Sequence, residues 1–402
     1  MRKAVGILVL GLGFLLAACG TSGSNSGSGN NDVTVTVTAT GASFAAYRAG
    51  SGSWQAPADP TSFSFTVTGG GAYDVTVRCG DSVNVYSLTT DDLTSLDASC
   101  AATPTTIAFD VSYDASGVTG AASVELYYKG AGFWGLTGNV TDTISVTNGV
   151  AGQQDLVLVV YDNNTPPNVL AAKMYTVTAA NGDAFDFTGA GNTVTDADNV
   201  ATTTFPDFSA EVPAGYAAMW AVNAVTPNGT LVFAGFDPGA GGTPFVDFPF
   251  ADRNVFAASA ENPPYGLIGF FVRASGTPTI ALPNPIDPSA SGSPVSVTNL
   301  AASANLLVYT ISVSWGTPVE VNVTISKAYL GSATGYTLPD LSALSGFGDT
   351  LPQSGDTVNV TVSAVESNRT LAEVANLGDS GVYFLPDGTD AQIATKTISY
   401  GL

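Results

Sequence analysis

The sequence predicts an all-β fold built as serial β-sandwich domains, and three observations carry that expectation. First, apolar and polar residues alternate with a period of two through many short runs, beginning with Val33-Thr34-Val35-Thr36-Val37-Thr38. Successive strand side chains point to opposite faces, so such runs are strands with one face buried. Second, 45 glycines and 22 prolines in 402 residues punctuate these runs, and both residue types set turns. Third, helical spacing is scarce. Its best example is 370–377, where Thr370 and Glu373 fit a capping box and Leu371, Val374 and Leu377 form a stripe. Asp340 is a candidate cap for one further turn through Leu344.

The elements fall into four stretches. In 33–102, Phe63, Phe65 and Val67 alternate with Ser64 and Thr66. Tyr73, Val75, Val77 and Cys79 share a face opposite Asp74, Thr76 and Arg78, and Val83 and Val85 follow. Trp54, in a Gly/Ser/Pro-rich stretch, is placed to plug one end of this sandwich. A tryptophan followed by an inward cysteine resembles immunoglobulin-like domains, and a jelly-roll-like arrangement fits the same pattern.

In 103–190, Ile107, Phe109, Val111 and Tyr113 alternate, then Val124, Leu126 and Tyr128. The continuous apolar run 156–160 reads as a central strand. In 202–285 the strands are apolar without alternation (Met219-Trp220-Ala221-Val222, Leu231-Val232-Phe233, Phe245-Val246, Leu267 to Val272), as in strands buried on both faces. In 295–402, Leu307, Tyr309, Ile311, Val313 and Trp315 lead through Gly316-Thr317-Pro318 into Val319, Val321, Val323 and Ile325, the clearest hairpin of the chain. Val358, Val360 and Val362 form another strand. The last two stretches read equally as two domains or as one larger unit.

The N-terminus has a different character. Arg2 and Lys3 precede an apolar run over 4–18 that ends in Leu16-Ala17-Ala18-Cys19. The run is about 15 residues, shorter than the ~20 that a bilayer core needs. This segment resembles the lipobox signal peptide of bacterial lipoproteins. The resemblance implies that 1–18 is removed, that Cys19 carries a diacylglyceryl group, and that its new amine is acylated with a palmitate-like chain. Several acyl chains anchor stably where one would not. The chain would then sit in the cell envelope facing outward, on the outer membrane of a diderm or the outer side of a monoderm's cytoplasmic membrane. Residues 21–32 (TSGSNSGSGNND) hold no apolar side chain and read as a flexible tether with a reach of roughly 20 Å.

Composition bounds the partners. Formal charge is −22, from 11 Lys+Arg and 33 Asp+Glu, which disfavours nucleic acid and anionic lipid surfaces. With Cys19 assigned to lipid, Cys79 and Cys100 remain as an even pair in an oxidising compartment, and a disulfide is expected. A zinc site is the alternative, disfavoured because the chain has 0 His.

The absence of histidine also removes Ser-His-Asp and Cys-His catalysis. A carboxylate pair of the glycosidase type is the remaining enzymatic option. The glutamates are Glu125, Glu211, Glu261, Glu320, Glu366 and Glu373, and no two are marked as partners. Asp196, Asp198 and Asn199 are candidate calcium ligands, as are Asp183 with Asp186 and Asp387 with Asp390. Loop oxygens suit calcium, but Asp and Asn are also ordinary turn residues. No other cofactor is implied. Phe133-Trp134 lies among glycines and is a candidate platform for stacking a sugar ring, or a plug for a sandwich end. Trp220 and Trp315 read as core. The sequence thus points to an envelope-displayed lipoprotein with a non-enzymatic structural or binding role. The alternative is a carbohydrate-binding or carbohydrate-processing surface protein, with an envelope protein or polysaccharide as partner.

Overall fold

The computed structural model describes residues 32–100, 105–130, 135–301, 303–375 and 385–402. The fold is all-β, with several sheets packed face to face. The first stretch gives Val33–Thr38 (β1), Phe44–Ala49 (β2), Ser62–Val67 (β3), Ala72–Cys79 (β4), Ser82–Thr89 (β5) and Ser95–Asp97 (β6). The second gives Ile107–Asp114 (β7), Ser123–Tyr127 (β8), Leu136–Gly138 (β9), Thr141–Gly149 (β10), Gly152–Tyr161 (β11), Val169–Ala179 (β12) and Asp183–Phe187 (β13). The third gives Ala201–Thr204 (β14), Ala217–Val225 (β15), Leu231–Asp237 (β16), Pro244–Asp247 (β17), Arg253–Asn262 (β18) and Tyr265–Arg273 (β19). The fourth gives Ser289–Ser291 (β20), Ser296–Thr298 (β21), Leu306–Ser314 (β22), Glu320–Ser326 (β23), Gly335–Thr337 (β24), Thr357–Ser367 (β25) and Asp390–Gly401 (β26).

The second stretch closes as a sandwich of its own. Sheet β10-β7-β13 faces sheet β12-β11-β8-β9. Phe109, Val111 and Tyr113 meet Leu126, Leu156, Leu158 and Val160 between them. The run 156–160 is explained by its position between two cores. Val157 and Val159 point the other way, into a second core with Phe205, Trp220, Phe256 and Phe271. Within this core Phe205 stacks on Trp220 at 4.4 Å, and burial of Val157 and Val159 in it joins the sandwich to the sheet behind it.

That sheet revises the expected division. Stretches 33–102, 202–285 and 295–402 are not separate sandwiches in series. They share one 11-stranded sheet of order β16-β15-β18-β19-β26-β25-β22-β23-β5-β4-β2. The junction between β23 and β5 is parallel, with Glu320 opposite Ser82 and Ile325 opposite Ser87. The physical reason lies in β5, which is apolar on both faces, and in β4, which is apolar on one face and buried on the other through Asp74 and Thr76. Tyr86 and Leu88 enter the core shared with β3-β1-β6, while Val83 and Val85 enter the core of the fourth stretch. A stretch of this size cannot cover both faces from its own residues.

Two smaller expectations also change. Trp54 packs against the fourth stretch's core rather than plugging a first sandwich. Asp340 caps a non-helical turn, accepting from Ser342 N at 2.9 Å and Ser342 Oγ at 2.6 Å. The helix at 371–375 forms as expected. Thr370 N donates to Glu373 Oε2 at 2.8 Å and Glu373 N donates to Thr370 Oγ1 at 3.3 Å, closing the capping box. Leu377 lies outside the described residues.

Candidate functional site

Cys79 and Cys100 form the expected disulfide, with Cα atoms 5.4 Å apart. It ties the end of β4 to the chain leaving β6. Cys19, Phe133 and Trp134 lie outside the described residues.

The calcium candidates sit on a short turn, Asp196–Asp198, and their oxygens serve the chain itself. Asp196 accepts from Thr119 N at 2.8 Å and Thr119 Oγ1 at 2.7 Å, contacts that hold its carboxyl below the ordinary value. Asp198 accepts from Thr195 N at 3.0 Å and lies 3.7 Å from Lys173 Nζ. Asn199 bridges to Ala171 on the edge strand β12. Asp186 accepts from Thr188, Asp183 from Ala180 N, and Asp387 from Ala274 N. Among the described residues, no group of three or more His, Cys, Asp or Glu is placed to hold a metal ion.

Three of the six glutamates are likewise occupied. Glu125 accepts from Tyr127 OH at 2.7 Å and Tyr161 OH at 2.9 Å, Ser312 Oγ donates to Glu320, and Glu373 serves the capping box.

Strand periodicity alone does not reveal the buried polar knot that forms around Asp74. Asp74 lies in β4, fully buried. It accepts from Arg48 Nε at 2.7 Å, from Ser87 Oγ at 2.5 Å and from Tyr329 OH at 3.1 Å. Ser87 Oγ also meets Tyr336 OH at 2.8 Å. Burial alone would lower the Arg48 pKa, but the adjacent carboxylate outweighs it and holds the guanidinium above its ordinary value. Burial pushes both Tyr329 and Tyr336 upward, with Asp74 reinforcing the shift. Arg48 also lies over the Trp54 ring, 4.8 Å from its centroid.

The knot joins β2, β4 and β5 to the segment between β23 and β24. A second link runs parallel to it. Arg78 pairs with both oxygens of Asp349, at 2.5 and 2.8 Å, and donates to Gly346 O at 2.7 Å. These are donors and carboxylates that satisfy one another, with no free nucleophile and base between them, so the chemistry they can do is to latch. The available signal was an aspartate in mid-strand between Tyr73 and Val75, a residue type depleted there.

Two surfaces remain open. On the outer face of β10-β7-β13, an open groove of about 530 Å³ is lined by Ser112, Thr141, Asp142, Thr143, Asp186 and Thr188. Its carboxylates are turned onto local amides and hydroxyls, as when Asp142 takes Thr143 N at 2.8 Å.

The other surface lies on the central sheet. Ile393, Val365 and Val308 face the core beneath β3-β1-β6. One step along the same strands, that face turns polar. Thr395, Ser363, Thr310 and Thr324 stand side by side on β26, β25, β22 and β23. The next row is Thr397, Thr361, Ser312, Asn322 and Asn84, and the last is Ser399, Asn359, Ser314, Glu320 and Ser82. Ser363 Oγ meets Thr395 Oγ1 at 3.0 Å and Thr361 Oγ1 meets Thr397 Oγ1 at 3.3 Å. Glu320 is the one charged side chain in these rows.

No helix among the described residues is long and apolar enough to cross a membrane. No known protein family matches the chain, and no curated protein matches it.

Proposed function

We propose that this chain is a lipid-anchored protein of a bacterial envelope, displayed outward, whose β body has a structural or binding role without catalysis. The observation that carries the reading is the run Leu16-Ala17-Ala18-Cys19 behind Arg2 and Lys3, followed at once by the uncharged stretch 20–31. The tether leads directly into β1, whose first residue, Val33, is already paired with Val67. The body therefore begins within roughly 20 Å of the anchor residue's reach. The latched sheet supports a rigid spacer or platform, and its internally bonded carboxylates suit that role better than turnover.

Metabolic labelling of expressing cells with an alkyne fatty acid tests this. The full chain should take up label and partition into the membrane fraction. Cys19→Ala should abolish both. Label retained by Cys19→Ala, or a wild-type chain released unlabelled, would overturn the anchor. The runner-up, a carbohydrate-binding surface protein, is favoured by the neutral hydroxyl-bearing face of the central sheet.

A further inference from the structure

We infer that the polar half of the central sheet, centred on Thr361, Ser312 and Asn322, is a binding face for a neutral polysaccharide. The inference rests on the carbohydrate-binding alternative above and names both its site and its ligand class.

The geometry comes from the strand register. Thr397, Thr361, Ser312, Asn322 and Asn84 form one row across β26, β25, β22, β23 and β5. Neighbouring strands are spaced about 4.8 Å, so the row spans roughly 19 Å of flat sheet. That length suits several consecutive sugar rings lying across the strands.

Hydroxyls and carboxamides each donate and accept, as do sugar hydroxyls, so such a face can match a polyol without a fixed polarity. Threonine adds pre-organisation, because its branched Cβ restricts χ1 and less freedom is lost on binding. Most of these side chains are half-buried by their neighbours; Ser363 is buried, and Asn359, Thr397 and Ser399 are exposed.

Charge selects the occupant. A polyanion meets a chain of net charge −22 and no cation in these rows. A cationic partner finds one carboxylate, Glu320, which already accepts from Ser312. A protein partner would want an open apolar and aromatic centre typical of interfaces, whereas Tyr86, at the β5 end of the first row, is buried in the core beneath β3-β1-β6. An uncharged polyhydroxylated polymer fits what is there. The same strands are apolar where β3-β1-β6 covers them, so the polar rows mark the part of the face that the described residues leave uncovered.

The test uses the full chain in detergent micelles, with retention measured on a 1,4-linked glucan, a 1,6-linked glucan, a mannan and chitin, and on polygalacturonate as the anionic control. Retention is expected on at least one neutral polymer and not on polygalacturonate. Thr361→Val keeps the shape and β-propensity of the site but deletes a hydroxyl, and Asn322→Asp adds charge at equal size. Each should weaken retention about tenfold, the value of a hydrogen bond or two, with an unchanged melting temperature. The outer-face variant Thr143→Val, on the separate sandwich, should bind as wild type.

Three results would overturn the inference: no retention on any neutral polymer, retention on polygalacturonate alone, or retention indifferent to both Thr361→Val and Asn322→Asp. Capture of glycan equally weakened by Thr143→Val would move the site to the groove and also overturn it. The acyl label on the same preparation separates the two proposals. A labelled chain that binds no glycan sinks the face alone, and an unlabelled chain that binds glycan sinks the anchor alone.

Discussion

The sandwich of 107–187 and the 11-stranded sheet solve the same problem in opposite ways. The sandwich buries its strands with partners drawn from one short stretch of chain. The long sheet instead seats β5, ending at Thr89, beside β23, beginning at Glu320. Pairings of that sequence separation carry a large loop-closure entropy and form late. What offsets that entropy is visible at the junction: two cores, one on each face of β5, and a polar knot around Asp74 of β4. The difference teaches that β5, apolar on both faces, recruits a distant strand into its own sheet, whereas the sandwich completes its two sheets locally and buries the outer face of β11 against a separate sheet.

The sharpest way to break the comparison is to cut the knot. Asp74→Ala leaves Arg48, Ser87 and Tyr329 without their acceptor in a buried setting. Losing one partner of a buried ion pair costs about 3–5 kcal/mol. Hydrogen exchange should report this loss in β4, β5 and β23, with β7 and β11 keeping their protection. Uniform loss across the body would mean that sandwich and sheet unfold as one unit.

Reduction of the Cys79–Cys100 bridge should act on the same side with a smaller effect. The closed loop spans a sequence separation of 21, for which the loop-entropy estimate is about 3 kcal/mol. Urea denaturation with and without reductant measures it. A midpoint that does not move would show that the β4–β5–β23 junction holds the first stretch without the bridge.

Strand identity was legible where period two or an apolar run marked it, because each reports burial locally, but β2, β10, β18 and β26 carried too little pattern to be read. VTVTVT became β1, and 307–315 with 319–325 became the β22–β23 hairpin, in register from Val308–Ser326 to Ser314–Glu320. Even the double burial of 156–160 could be read from its unbroken apolar run. Partner identity was not legible. Nothing in Ser82 to Thr89 names β23, since hydrogen bonds of the ladder involve backbone groups common to every strand. Separate sandwiches were therefore expected for the first two stretches, with the last two open as one unit or two, where the first, third and fourth share a sheet. The knot was hidden for a related reason. Period two sets Asp74 opposite Tyr73 and Val75 but does not say whether that polar side meets solvent. A second layer, carrying Tyr329 and Tyr336, covers it. The disulfide and the capping box at Thr370 were legible because each depends on spacing or chemistry carried by the residues themselves. The neutral rows on the central sheet needed the register of four strand pairs before their outline existed.

The smallest predicted effect concerns the seam where the sandwich meets the sheet. Asp155 in β11 is buried and turned towards the sheet. It accepts from Asn228 N and Asn228 Nδ2, both at 2.9 Å, in the turn between β15 and β16, and from Thr176 Oγ1 at 2.7 Å on β12. Its backbone carbonyl takes Thr230 Oγ1 at 2.6 Å. Burial raises the carboxyl pKa, but the bonds from Asn228, Thr176 and Thr226 outweigh it and leave the pKa below the ordinary 3.8. A carboxyl depressed in the folded state stabilises the fold fully above its unfolded value, and that stabilisation is lost as pH falls through the lower folded value. The seam should therefore loosen only in acid, below about pH 4. Asp155→Asn keeps the size of the side chain but sets an amide against Asn228 donors, at a cost of about 1–2 kcal/mol at neutral pH. Comparing the two proteins by urea denaturation from neutral pH into acid checks the sign. Their difference should shrink as the wild-type carboxyl protonates. A difference that stays constant down to acid would show that Asn228 is held by the turn rather than by the charge, and the seam would then rest on Phe205, Trp220 and Val157 alone.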